Sequence, residues 1–317
     1  MLQNRIFHCY YVDHSFYSAQ KIGRIYSTLA QDDSLDLGDS IVLATCQRIE
    51  LYTPFEHNPI SHLGLPFKHI SGRDNVMKRL ISIGAGVESQ ILGERNVFYQ
   101  VQKSIRDADD KNELKTMFKE ALLEAERIRK DRVFYADMNY EDISLAILNE
   151  VIAKSDESDV GLVIVGSGML ARDFLQKGVQ TQFERVNFIT RSPRNLKKKF
   201  EKEQKKIVLR CEEFCAVDRQ PYYCIIATNG LERDNYAEKV RPILLSESCR
   251  GVFDLSAVPL FQKEVGPIFY GDTYSEDYYD YVDRCNDRKR FEAQCIKNDI
   301  MDGIAVEACR VETSEVA

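Results

Sequence analysis

Cys46 follows a short apolar run, Ser40-Ile41-Val42-Leu43-Ala44, within the segment Ala44-Thr45-Cys46-Gln47-Arg48-Ile49-Glu50-Leu51-Tyr52. The run reads as a buried strand, so the thiol is expected at a strand end, where reactive groups are commonly held. A thiolate there is a nucleophile. At a free pKa of about 8.5 only a few per cent is ionised near neutrality, and Arg48 two residues on would favour the anion. The same cysteine also fits a small core residue, because local pattern alone does not separate the two roles.

A second chemical signal lies far along the chain. Val160 to Val165 is an apolar strand leading into Gly166-Ser167-Gly168-Met169-Leu170-Ala171, with a helix starting at Ala171. This is the strand, glycine turn and helix of a dinucleotide-binding fold, with alanine in the third glycine position. The first glycine makes the tight turn, and the second lets main chain approach a pyrophosphate. The small third residue packs helix on strand, so that the helix N-terminus faces the anion. The following strand, Arg185 to Thr190, ends in Arg191-Ser192 instead of a carboxylate. A guanidinium and a hydroxyl there suit a 2′-phosphate, so NADP(H) is expected over NAD(H). Thr228-Asn229-Gly230 closes a further strand, Tyr222 to Ala227.

These groups need a scaffold of ordinary globular character. The 317 residues exceed what one core usually serves, and 44% hydrophobic with 29% charged content fits a globular chain. No apolar stretch reaches the roughly 18 residues of a membrane span. The N-terminus has no secretory pattern, so a cytoplasmic location is expected. Nine scattered cysteines without CxxC pairs argue against a disulfide framework and a thiolate metal site; no metal is expected. The net charge of −7 disfavours general attraction to polyphosphate. Two basic segments, Lys119 to Arg132 and Arg191 to Arg210, leave RNA contact open, against the plainer reading of solvated helix faces.

The element pattern predicts an α/β architecture. Arg5 to Val12 and Ser40 to Ala44 read as strands and Ser18 to Gln31 as a helix. Helices are expected from Asp74, with Val76, Leu80, Ile83 and Val87 on one face, then over Val97 to Ala108, Leu114 to Arg132 and Ile143 to Ala153. Alternating strands and helices after residue 160 imply a parallel, doubly wound sheet, with a further strand at Gly251 to Leu255. A charged helix covers Glu276 to Arg310. The expected domains are an N-terminal α/β catalytic domain over 1–154, a Rossmann-type NADP-binding domain over 155–272, and a C-terminal helical segment over 273–317.

Thr45 to Tyr52, Gly86-Val87-Glu88-Ser89-Gln90-Ile91-Leu92-Gly93-Glu94, Gln100-Val101-Gln102-Lys103 and the Gly166 turn, in this order and spacing, resemble glutamyl-tRNA reductase. The similarity runs from about Asp13-His14 to about Asp272. It includes Phe118 to Leu122, Arg127-Ile128-Arg129 and Phe253-Asp254-Leu255. The resemblance implies reduction of tRNA-bound glutamate to glutamate-1-semialdehyde, on the route to 5-aminolevulinate and tetrapyrroles. It gives Cys46 the role of nucleophile, forming an enzyme thioester that NADPH reduces. It places Thr45, Gln47, Arg48, Ser89, Glu94, Arg95, Asn96 and Gln100 in the glutamate pocket, with Arg48 pairing the substrate carboxylate in bidentate fashion. Gly166, Ser167, Gly168, Met169, Leu170, Ala171, Arg191, Ser192 and Thr228 fall at the cofactor. Implied partners are glutamyl-tRNA and the downstream aminomutase.

The chain departs from the family pattern at several points. Gln47 replaces asparagine, Arg95-Asn96 replaces proline and glutamine, and a family histidine falls on Arg79. His14 and His69 are candidates to take over its proton chemistry. The chain ends some forty residues past the nucleotide domain, where the family continues into a helical dimerisation domain, so a family-type dimer is not expected. Alternative readings are a reductase of another aminoacyl or acyl group, and a non-catalytic nucleotide- or tRNA-binding regulator.

Overall fold

The computed structural model describes residues 6–31, 37–45, 47–56, 58–108, 112–155, 157, 159–183, 185–190, 207–211, 220–228, 236–256 and 269–303. The chain divides into two compact units, one of Met1–Asp137 with Arg284–Ala317, the other of Met138–Asp283. Residues 138–154, expected with the first domain, fall in the second unit.

The first unit contains a four-stranded antiparallel sheet built from β1 (His8–Asp13), β2 (Ile41–Ala44), β3 (Arg48–Thr53) and β4 (Lys68–Ser71), in the order β2-β3-β1-β4. Helix α1 (Ala19–Gln31) packs one face through Ile22 and Ile25, which meet Val12 and Ile49. The other face carries Cys9 and Tyr52 into the main core, where α2 (Arg73–Ala85), α3 (Asn96–Asp107) and α4 (Glu113–Asp131) lie. In α4, Leu114, Met117, Phe118, Ala121, Leu122, Ala125 and Ile128 repeat at helical spacing and are all buried, as an amphipathic helix requires. Gly84 lets α2 approach α4 closely, since a Cβ there would stand 2.8 Å from that of Ala125.

In the second unit α5 (Tyr140–Lys154) precedes six parallel strands. These are β5 (Gly161–Val165), β6 (Val186–Thr190), β7 (Ile207–Cys211), β8 (Tyr222–Ile226), β9 (Cys249–Asp254) and β10 (Phe269–Asp272). Their order is β10-β9-β8-β5-β6-β7. The order reverses between β5 and β8, the point at which doubly wound folds bind nucleotides. β5, β6 and β8 are buried along their whole length, which is why β5 and β8 read as unbroken apolar runs, while β6 also buries Asn187 and Thr190. Helices α6 (Met169–Gln176), α7 (Val179–Gln182) and α8 (Tyr236–Leu244) connect the strands. Helix α6 starts at Met169, two residues before the expected Ala171.

The expected single helix from Glu276 is two, α9 (Glu276–Asp287) and α10 (Arg290–Met301), joined by a turn at 288–289. Residues 304–310 of that expectation lie outside the described residues. Among the described residues no helix is long and apolar enough to cross a membrane, and no group of three or more His, Cys, Asp or Glu is placed to hold a metal.

Candidate active site

The register of β1 on β3 sets Cys9 opposite Tyr52, Tyr11 opposite Glu50 and Asp13 opposite Arg48. Directly opposed residues share a sheet face, so six side chains that can exchange protons or charge, or stack on them, are gathered on one surface. Helix α2 adds Arg79 to it. The Arg79 guanidinium lies 3.5 Å from the Tyr11 ring centre and donates Nε to Glu50 Oε2 at 3.1 Å and Nη2 to Glu50 Oε1 at 2.8 Å. Nη2 also donates to Asp13 Oδ2 at 2.9 Å. Glu50 is fully buried and also accepts from the Tyr52 hydroxyl and, at 3.8 Å, the Cys9 thiol.

These contacts shift the titrations. Burial works against the charge on Arg79, but Glu50 above all outweighs it and raises the pKa further. Burial likewise opposes ionisation of Asp13, yet hydrogen bonds from Ser15 and Arg79 hold it below the usual carboxylate range. Burial pushes the Cys9 thiol well up, and Glu50 adds to the effect, so this sulfur stays protonated.

At the start of β3, Gln47 and Arg48 meet the 88–90 segment. Thr45 Oγ1 accepts from the backbone N–H groups of Gln47 (3.1 Å) and Arg48 (3.2 Å); Cys46 lies outside the described residues. Gln47 exchanges two hydrogen bonds with Gln90, one side chain to side chain and one from the Gln90 backbone N–H, both 3.1 Å. Arg48 is 1% exposed; Nη2 donates to the Glu88 carbonyl, Nη1 stands 3.5 Å from Glu50 Oε1, and Nε and Nη1 have no hydrogen-bond acceptor. Residues 47–48 are thereby joined to residues 88–90, two segments forty residues apart in sequence.

The 86–95 loop is itself braced. Buried Glu94 accepts from the backbone N–H groups of Asn96 and, at 3.0 Å, Val97, so it caps α3. Ser89 Oγ is 3.5 Å from Glu94 Oε1. Burial raises the Glu94 pKa, opposed by those two N–H groups and by Arg129 and Arg48. Arg95 is exposed, Asn96 and Gln100 are half-buried, and Asn96 and Gln100 share a face of α3 at the i, i+4 spacing. Two bracing residues have no such role in the sequence reading, which names Arg129 only within the similarity and the basic segment. Arg129 is 4% exposed and donates to the carbonyls of Gly93 and Glu94 at 2.8 Å each, and Asn286 bonds Leu92 N–H (2.9 Å) and the Gln90 carbonyl (2.7 Å). The signal for Arg129 was its place on the apolar side of α4; nothing in the sequence marked Asn286.

The histidines separate cleanly. His69 pairs with Tyr10 in the strand register and stacks on it at 4.5 Å, on the face opposite Glu50 and Arg79. His14 instead bonds its backbone N–H to the Gln47 carbonyl at 2.9 Å, and its Nε2 is buried without a partner. Burial first, and then Arg48, lowers its pKa, so it is neutral near pH 7.

In the second unit Gly166 sits at φ +128 with its N–H on the Ile189 carbonyl (2.8 Å); a Cβ there would lie 2.6 Å from the Ala227 carbonyl oxygen. Only glycine fits. Gly168 is the N-cap of α6 and has open space where a side chain would project, and Ala171 is fully buried. Ser167, Met169, Leu170 and Thr228 are half-buried around this turn. The residues present fit a dinucleotide pyrophosphate: bare main chain and a helix N-terminus at the switch point. Arg191 and Ser192 lie outside the described residues.

Residues 10–132 match the family profile of the glutamyl-tRNAGlu reductase N-terminal domain. Protein nfe2 of Rhizobium meliloti is 26% identical over 270 residues, 81% of this chain and 85% of that protein. The glutamyl-tRNA reductase of Crocosphaera subtropica is 25% identical over 242 residues, 68% of this chain and 55% of its own length. Glutamyl-tRNA reductase 2 of an Anaeromyxobacter species is 28% identical over 164 residues, 46% of this chain and 38% of its own. The solved glutamyl-tRNA reductase of Methanopyrus kandleri aligns with a TM-score of 0.44 and 15% identity, over 98% of this chain and 81% of that one.

Proposed function

We propose that this chain, whose residues 10–132 match the N-terminal domain profile of glutamyl-tRNA reductases, is a member of that family and catalyses NADPH-dependent reduction of glutamate carried on its tRNA. The observation that supports this most directly is the joining of Gln47 and Arg48, next in sequence to Cys46, to the 88–90 loop that carries Ser89. In this reading the Cys46 thiolate attacks the ester carbonyl that links glutamate to the terminal ribose. The carbon–sulfur bond forms, the ester carbon–oxygen bond breaks, and the tRNA leaves with a proton on its ribose oxygen. A thioester is more electrophilic than a carboxylate and expels a good leaving group. NADPH, held at the Gly166–Gly168 turn, supplies the hydride. Arg48 pairs the substrate carboxylate, and Ser89, Asn96 and Gln100 complete its hydrogen bonding. Arg79, permanently charged, cannot exchange protons near neutral pH, whereas His14 is neutral and has a free ring nitrogen beside Gln47.

The test is a single-turnover assay with purified glutamyl-tRNA. With NADPH, aldehyde should form as NADPH is consumed; without it, a hydroxylamine-sensitive acyl group should accumulate on the protein and vanish in Cys46→Ser. Consumption of NADPH with another charged tRNA, and none with glutamyl-tRNA, would assign a different acyl substrate. NADPH binding without any acyl transfer would leave the chain a binding protein.

A further inference from the structure

Glu50 and Arg48 form only a long ion pair, without a hydrogen bond. Nη1 stands 3.5 Å from Oε1, and Arg48 keeps two buried nitrogens, Nε and Nη1, without an acceptor. With both residues buried, an open guanidinium edge next to a carboxylate is not a resting arrangement unless the carboxylate is held elsewhere. It is held by Arg79. The Nε and Nη2 edge of Arg79 takes both oxygens of Glu50 at 3.1 and 2.8 Å, a bidentate pairing of fixed geometry, and the Tyr52 hydroxyl and Cys9 thiol occupy what remains of Oε2. Stacking on Tyr11 and the bond to Asp13 hold the Arg79 guanidinium in turn.

We propose that Arg79 is a positioning residue that withholds Glu50 from Arg48 and so keeps the Arg48 guanidinium open to a substrate carboxylate. The inference rests on the reading of Arg48 as the carboxylate-pairing group. It gives the arginine at 79 a task that a histidine could not perform in the same way, because a single ring nitrogen cannot span both Glu50 oxygens and Asp13 at once. Two arginines and two carboxylates then balance. Without the Arg79 charge Glu50 has one cation left to pair, and that cation is Arg48.

The test uses the whole chain and glutarate, a dicarboxylate without an acyl link, with affinity read from the rise in thermal midpoint across a concentration series. Arg79→Met is expected to weaken glutarate at least tenfold, because Glu50 swings to Arg48 and competes. The double variant Arg79→Met/Glu50→Gln removes the competitor and is expected to return affinity to within threefold of the parent. In the glutamyl-tRNA assay the single variant should raise KM with kcat nearly unchanged, and the double variant should reverse that rise. An Arg79→Met protein that binds glutarate as the parent does, or a double variant as weak as the single one, overturns the inference and leaves the carboxylate reading of Arg48 intact. A parent protein that glutarate does not protect overturns both. If Arg79→Met does not fold, Glu50→Gln alone decides: it must bind glutarate at least as tightly as the parent, and weaker binding refutes the proposal.

Discussion

The Arg129 guanidinium sits under the 86–95 loop and satisfies the carbonyls of Gly93 and Glu94 with two 2.8 Å bonds, with weaker contacts to Gly84 and Ala85 and the Tyr135 ring 5.3 Å away. Burial lowers its pKa, partly offset by Glu94, but an arginine remains charged at any ordinary pH. Arg129→Met strands two buried carbonyls, and leaving buried polar groups unsatisfied costs about 1–3 kcal/mol each. The expected loss is therefore about 2–6 kcal/mol, read as a lower urea midpoint, with Arg129→Lys recovering less than half because one ammonium cannot reproduce the fork. At Gly166 the constraint is steric. Alanine there meets the Ala227 carbonyl at 2.6 Å and must hold φ +128, a strain of roughly 1–3 kcal/mol. Gly166→Ala is expected to weaken NADPH at least tenfold in a fluorescence titration, and unchanged affinity would place the cofactor elsewhere.

Between α5 and α6 lies a buried acid with no use in the reaction. Glu141 is 4% exposed, its Oε2 has no partner, and burial raises its pKa to about 7, with Asp142 and Asp173 adding to the shift and Lys177 opposing it. Asp173 on α6 is raised to about 6, again by burial. Asp142 is held by Lys177 at 2.7 Å, so that lysine is engaged. The folded state therefore binds a proton more tightly than the unfolded chain, whose glutamate titrates near 4.5. The stabilising contribution is present below that value and is lost as pH rises through about 7, amounting to about 3 kcal/mol at 1.36 kcal/mol per unit. Glu141→Gln should flatten the fall in urea midpoint between pH 5 and 8 and raise the midpoint at pH 8; an unchanged slope would show that Glu141 is not its source. Elements were legible in the sequence in proportion to their burial. β5 and β8 announced themselves as apolar runs, whereas edge strands β4 (Lys-His-Ile-Ser, mostly exposed) and β10 (Phe-Tyr-Gly-Asp) carry no such run. The α9–α10 turn was hidden because Asp287-Arg288-Lys289 contains neither glycine nor proline. Thr45, Gln47 and Arg48 were singled out through the family resemblance, but the network around Arg48 was not legible, since strand register brings Glu50 and Asp13 to one face and helix α2 adds Arg79.

Across the whole molecule the charge is −7, and the described part of the basic sequence is largely answered from within. Along α4, Arg127 pairs with Glu124 (2.6 Å) and Asp131 (3.1 Å), and Lys130 pairs with Glu126 (3.1 Å). Arg132 pairs with Asp299 of α10, and Arg129 is buried. The stretch for which the sequence left RNA contact open beside a solvated helix face is, in the fold, an ion-paired helix face plus one structural guanidinium. Surface pairs of this kind contribute little to stability, about 0–1 kcal/mol each, but they cancel the local field that would draw a phosphate backbone. Lys130→Ala/Arg132→Ala is therefore expected to change the Kd for glutamyl-tRNA less than twofold. The slope of log K against log salt should move by less than about 0.5, where each lost phosphate contact would reduce it by about 1. A slope reduced by about 2 in the double variant would instead place the tRNA backbone on α4.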